Sequence, residues 1–341
     1  MNSKGNYELP EFATHWAKEL GSSEMSLVRL QGGINNRVFC CGDAPNQFVI
    51  KGYSPLEPNQ RDRMQAEVDF LHYSAETATG FTPKLIHSDP ELRCVVLEYL
   101  DGISFPEGVS PPKEAVDTAV EFFRRLNEDP EAAKRSIHID ASEGFLSLTE
   151  HLNNVHRRIE GMECNHLPPD AKPEAERLLA ILQSELDRIH EITANRISSG
   201  VIVDLISPDS RCVSPSDFGF HNAIQTSTGV RFYDFEFAGW DDPAKTIVDF
   251  ILQPSVPIPA EHSILLIGLH PNERRDLHMR YRVLKPILRV KWVCIMLSFL
   301  RPERLEQLLL VIPEMNTSKL IYKRFRRVSN YLDEILQDLK I

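Results

Sequence analysis

Residues 213–224, VSPSDFGFHNAI, set Asp217 and Asn222 five positions apart on a loop between apolar segments, and Asp234 follows in FYDFEFAG, residues 232–239. A hard cation such as Mg²⁺ takes oxygen ligands and draws only one or two of them from protein, the others coming from phosphates and water. Asn222 and Asp234 suit that role. Asp217, left free of the metal, is placed to orient or deprotonate a hydroxyl nucleophile. The competing reading of Asp217 is a turn or helix-capping residue, the commonest use of a loop aspartate.

Working outward from this loop, the first hundred residues alternate short β-rich runs with a single helical pattern. MSLVRL (25–30) and RVFCCG (37–42) flank QGGINN, and QFVIKGY (47–53) follows the turn-rich GDAPN, so three strands in hairpin order are expected. From Pro58 to about Tyr73 the period becomes helical, with Met64, Val68 and Leu71 on one face and Glu67 at its border. PKLIHSD (83–89) and CVVLEYL (94–100) read as two more strands. Beyond Asp101-Gly102 the texture turns helical, in 112–129, 145–162, 173–193 and a tail from about Asn272. The expected class is α+β with two lobes: an N-terminal antiparallel sheet with one main helix over 1–101, and a larger, mostly helical lobe over 102–341. A helical insert occupies about 103–200 of the second lobe.

The first lobe carries its own constellation. Gly32 and Gly33, followed by Asn35, lie between two strands, where a hairpin loop needs glycine for its turn and a phosphate needs it for close approach. Lys51 stands in an apolar strand, so its ammonium must find an anion or point away from the core. Glu67, sixteen residues on, is a candidate partner that would hold Lys51 toward nucleotide phosphates; otherwise both are solvated surface residues. VVLEYLDG (95–102) runs into a turn at the lobe junction, where the backbone of Glu98 and Leu100 is positioned to bond an adenine ring.

Glycine loop, strand lysine, helix glutamate, junction strand, Asp-x-x-x-x-Asn and Asp-Phe-Glu follow the order expected of an ATP-dependent phosphotransferase. In these residues the chain resembles the aminoglycoside phosphotransferase and choline kinase-like family of small-molecule kinases, most specifically in SDFGFHNAI and YDFEFAGWDDPAKTIVDF. The resemblance implies a two-lobed protein kinase-like fold, ATP and Mg²⁺, catalytic Asp217, metal-binding Asn222 and Asp234, and phosphate-binding Lys51 with its partner Glu67. It also implies structural roles for Glu236, Asp242, Pro243 and Asp249. Two positions depart from the pattern. Pro215 replaces a histidine that usually braces the loop, so Ser214 or Ser216 is expected to supply the missing hydrogen bonds. Gly219 stands where protein kinases usually carry a lysine near the transferred phosphate.

Asp234 is followed within eight residues by Asp242-Pro243, too short a stretch for a peptide-binding activation segment, whereas the long insert suits a small-molecule pocket. The expected activity is phosphorylation of a hydroxyl on a small metabolite, possible acceptors including a sugar or an anionic compound. A nucleotide-binding pseudokinase and a kinase of protein substrates are the alternatives. His278, Arg282, Lys285 and Arg289 form a basic stripe beside Tyr281, Leu284, Leu288 and Trp292. The stripe is either a solvated face or a receiver of substrate carboxylate or phosphate, the role for which Arg282, Lys285 and Arg289 are candidates. A formal net charge of -11 argues against a whole-surface nucleic-acid grip, and six cysteines without a Cys-x-x-Cys pair suit a reducing compartment. With no signal-like or membrane-length apolar run, a cytoplasmic protein is expected.

Overall fold

The computed structural model describes residues 9–22, 26–30, 36–58, 60–259, 274–311 and 317–338. Gly32, Gly33 and Asn35 lie outside them. The N-terminal lobe is a five-stranded antiparallel sheet, built from β1 (Val28–Arg29), β2 (Arg37–Cys41), β3 (Phe48–Gly52), β4 (Leu85–Asp89) and β5 (Cys94–Glu98), in the order β1-β2-β3-β5-β4. Successive residues of a strand face opposite sides, and β3 uses both. Ile50 packs with Phe39, Cys41 and Cys94 beneath α1 (Glu11–Glu19), a helix not expected from the sequence, whose Phe12, Ala13 and Ala17 close that face. Gly52 permits this docking, since a Cβ there would meet the Phe12 ring at 2.3 Å.

The other face of β3, bearing Val49 and Lys51, looks onto α2 (Arg63–Thr77). This helix begins five residues after the expected Pro58, because the Asp62 side chain accepts the Gln65 amide at 3.2 Å and fixes the N-cap. Met64, Val68 and Leu71 are buried as their spacing requires. So is Glu67, only 1% exposed, which a carboxylate tolerates only with strong partners.

After β5 the chain changes lobes at once. β6 (Gly102–Ser104) pairs with β8 (Ala223–Thr226), which pairs with β9 (Gly229–Phe232); β7 (Cys212–Ser214) pairs with β10 (Gly239–Asp241). Between β6 and β7 run α3 (Lys113–Leu126), α4 (Pro130–Ser136), α5 (Leu148–Glu160) and α6 (Lys172–Ser198). The chain continues through α7 (Pro243–Leu252), α8 (Arg274–Met296), α9 (Pro302–Val311) and α10 (Thr317–Asp338).

An aromatic core joins the lobes. Phe70 of α2 stacks on Phe235 with centroids 4.4 Å apart, and Phe122 of α3 stacks on Phe232 at 5.3 Å. The buried helix α7 is fastened by charge. Asp242 caps it through the Ala244 amide and receives Arg280; Asp249 receives Lys291 at 2.5 Å; Asp241 receives Lys245 at 2.6 Å. Asp242 and Asp249 thus take the structural roles implied by the resemblance. Among the described residues, no helix is long and apolar enough to cross a membrane.

Candidate active site

Lys51 is 5% exposed and lies between two carboxylates from different lobes. Its Nζ donates to Glu67 Oε2 at 2.5 Å and to Asp234 Oδ1. Glu67 also accepts the Tyr53 hydroxyl through Oε2 and the Phe235 amide through Oε1 at 3.3 Å. Burial works against the ammonium, but Glu67 and then Asp234 overcome it, so Lys51 is held charged well above the ordinary lysine value. Only one oxygen of Asp234 is taken up by Lys51, and the side chain is 36% exposed. Its φ of 69° is costly for a residue with a Cβ, on the order of 1–3 kcal/mol, and is held by the neighbouring bond from Tyr233 N to Asn222 O at 3.0 Å. Glu236, 2% exposed, accepts Asn36 Nδ2 at 2.5 Å, and Arg61 anchors the start of α2 to the carbonyls of Glu236, Ala238 and Asp140.

The Asp217 loop is braced from within. Ser216 N donates to the buried Ser214 Oγ at 3.0 Å, which supplies the serine hydrogen bond expected in place of the absent histidine. Asn222 Nδ2 donates to Asp217 O at 3.0 Å and to Oδ2 at 3.2 Å. Oδ1 of Asp217 lies 3.1 Å from His221 Nε2. Burial raises the Asp217 carboxyl, yet the bonds from His221 and Asn222 outweigh it and hold it below the usual aspartate value. An ionised carboxylate has no proton to offer, so His221 Nε2 must be the donor, which leaves His221 Nδ1 buried without a partner. Gly219 has no room for a lysine of the protein kinase type: a Cβ there would stand 2.7 Å from His221 Nδ1 and 2.9 Å from Gln253 Cγ.

With its amide nitrogen donating to Asp217, Asn222 could offer its side-chain oxygen to a cation, and Asp234 its second oxygen. Two hard oxygens suit Mg²⁺, which completes its shell with phosphate and water. Among the described residues there is no cluster of three or more His, Cys, Asp or Glu for an all-protein metal site.

Glu98 ends β5 and Leu100 follows at the lobe junction. The Glu98 side chain is gripped by the guanidinium of Arg231 at 2.9 and 2.8 Å, while its amide donates to Lys84 O at 2.9 Å. This fork fixes the junction strand to β9 of the larger lobe.

Arg282, Lys285 and Arg289 are not brought to this site. Arg282 and Lys285, with His278, line a separate hollow of about 320 Å³ between α6 and α8. Arg289 turns inward and lies over the Tyr331 ring at 5.7 Å. The helix turns a different face to Asp217: the hollow lined by Asp217 contains Lys291 and Trp292, with arginines from other elements.

His221, Tyr53 and Arg61 were not singled out by sequence reasoning. A histidine four residues after the aspartate is the one signal that could have found the first. No family model and no curated protein matches the chain. Solved structures do. A choline/ethanolamine kinase family protein from Mesorhizobium loti is similar at 17% identity and a TM-score of 0.52, covering 96% of this chain and 98% of that one. Choline kinase from Cryptosporidium parvum is similar at 12% identity and a TM-score of 0.58, over 92% and 91%. Spectinomycin phosphotransferase, solved with ADP and spectinomycin, is similar at 11% identity and a TM-score of 0.57, over 96% and 98%. Across nearly its whole length the chain therefore has the two-lobed kinase-like fold of choline kinases and antibiotic phosphotransferases.

Proposed function

We propose that the protein is an ATP- and Mg²⁺-dependent phosphotransferase acting on a hydroxyl of a small molecule. The observation that carries this reading is the Lys51 ammonium held between Glu67 of α2 and Asp234 of the larger lobe. Nothing in packing alone calls for a buried cation on two carboxylates at a lobe junction, since such pairs rarely improve stability over apolar residues. Solved neighbours described with ADP and spectinomycin, or as choline kinases, support the same reading.

Lys51, already charged and pre-oriented, would bind the phosphates of ATP beneath the first-lobe sheet. Bound Mg²⁺, held by Asn222 and Asp234, would neutralise phosphate charge. Asp217, kept ionised by His221 and Asn222, accepts the proton of the acceptor hydroxyl as its oxygen bonds to the γ-phosphorus and ADP departs. The contribution of the protein is positioning and fixed charge. Calorimetric titration with a non-hydrolysable ATP analogue tests this: binding should require Mg²⁺ and weaken strongly in Lys51→Met. Absence of binding with Mg²⁺ present would overturn the proposal.

A further inference from the structure

The hollow that Asp217 lines is open, about 670 Å³, and lined by eight Lys or Arg against three Asp or Glu. The volume suits a single metabolite. Each of the three carboxylates is already engaged. Glu143 receives Arg158, Asp249 receives Lys291 and Lys245, and Asp217 is held by His221 and Asn222. Arg63, Lys245 and Arg327 pair with carboxylates outside the hollow, Glu236, Asp241 and Glu107, whereas Arg301 and Arg324 face it with no carboxylate partner among the described residues.

Arg324, on α10, is positioned by neutral groups only: its Nη1 donates to Met296 O at 3.2 Å and its guanidinium lies 6.0 Å from the Phe299 ring centre. Burial, and then the neighbouring Arg327, push it below the ordinary arginine value, the mark of like charges crowded out of water. Arg301 leans on the end of α5, where a Cβ at Gly161 would stand 3.3 Å from its Nη2. Partly buried guanidinium groups without a counter-charge cost free energy that an anion would recover, and their planar donor forks match carboxylate and phosphate oxygens.

We propose that the acceptor is a hydroxyl compound bearing a phosphate or carboxylate group, which Arg301 and Arg324 bind while its hydroxyl meets Asp217. This names the substrate class for the phosphotransferase reading and rests on it. A cationic alcohol would meet an excess of like charge in this hollow.

The test is calorimetry on the full chain saturated with Mg²⁺ and a non-hydrolysable ATP analogue, which occupies the nucleotide phosphate site. Inorganic phosphate, acetate and choline are titrated in turn. One of the two anions should bind and choline should not; phosphate alone points to a phosphorylated acceptor and acetate alone to a carboxylic one. Arg301→Gln and Arg324→Gln should each weaken the anion roughly tenfold, with analogue affinity unchanged, and Arg324→Lys, which keeps the charge without the fork, should lose less than Arg324→Gln. Failure of both anions to bind, equal anion affinity in both Gln variants, or preference for choline would overturn the proposal; the wild-type comparison decides even if a variant fails to fold. If the analogue itself does not bind, the phosphotransferase reading falls separately, and anion titration without nucleotide still decides the arginine site by the same variants.

Discussion

Replacing Glu67 with glutamine changes one atom and should expose how the buried lysine is held. Glu67 receives only donors: the Lys51 ammonium, the Tyr53 hydroxyl and the Phe235 amide. A glutamine has one acceptor oxygen and an NH₂ group, so in either orientation the NH₂ meets a donor. Removing one partner of a buried pair costs about 3–5 kcal/mol. Asp234 still faces Lys51, so about 2–3 kcal/mol is expected. Lys51→Met should also destabilise, by leaving Glu67 buried without its cation. The double variant, in which both charges are gone, should be more stable than the sum of the single losses implies by about 1–2 kcal/mol, because contacting residues are non-additive. Urea unfolding of all four proteins measures this. Only the stability should recover; the double variant should still fail to bind the ATP analogue. A Glu67→Gln protein within about 0.5 kcal/mol of wild type, or losses that simply add, would refute the reasoning.

Other perturbations follow from single contacts. Gly52→Ala drives a methyl group into the Phe12 ring and should cost about 1–3 kcal/mol, read as a lowered Tm; an unchanged Tm would remove the close-packing claim for α1. His221→Asn removes the donor at Asp217 Oδ1 and should lower kcat about ten- to a hundredfold through one charge-assisted bond, leaving affinity for the ATP analogue intact. Burial above all raises the Asp241 carboxyl to about 6, against the pull of Lys245. The folded state then binds more protons than the unfolded one between about pH 4 and 6, so stability from this group falls as pH rises through that window, by at most about 1.4 kcal/mol per unit. The advantage of wild type over Asp241→Asn in urea unfolding should therefore shrink between pH 4.5 and 7; growth over that interval would contradict the sign. Asp249 runs the other way: although burial opposes it, Lys291 and Lys245 keep its carboxyl below the usual value, so its contribution is lost only in acid.

Much of this molecule was legible in the sequence where the signal is local. Strand alternation around Lys51, the helix carrying Glu67, and the order of Asp217, Asn222 and Asp234 all rest on short-range spacing, and the structure joins Lys51 to both Glu67 and Asp234. The start of α2 was misplaced because Asp62 capping, more than apolar period, sets it. α1 and β6 were missed, the first being a nine-residue helix that buries only Phe12, Ala13 and Ala17 and the second being only Gly102–Ser104, all exposed. The basic stripe shows the limit of helical spacing. It correctly groups Arg282 and Lys285, but it cannot say which side of α8 the cleft occupies. Arg301 and Arg324 belong to separate elements, and only the packing of α10 against the end of α8 brings them to one hollow.

The most direct test of the phosphotransfer assignment is γ-phosphate transfer from labelled ATP to a panel of hydroxylated metabolites, run with wild type and Asp217→Asn side by side. Wild type should phosphorylate at least one acceptor in the presence of Mg²⁺, while Asp217→Asn binds the ATP analogue normally and transfers at most about one hundredth as fast. Equal transfer by the two proteins would contradict the role of Asp217, and no transfer by wild type to any acceptor while the analogue binds would contradict the enzyme itself.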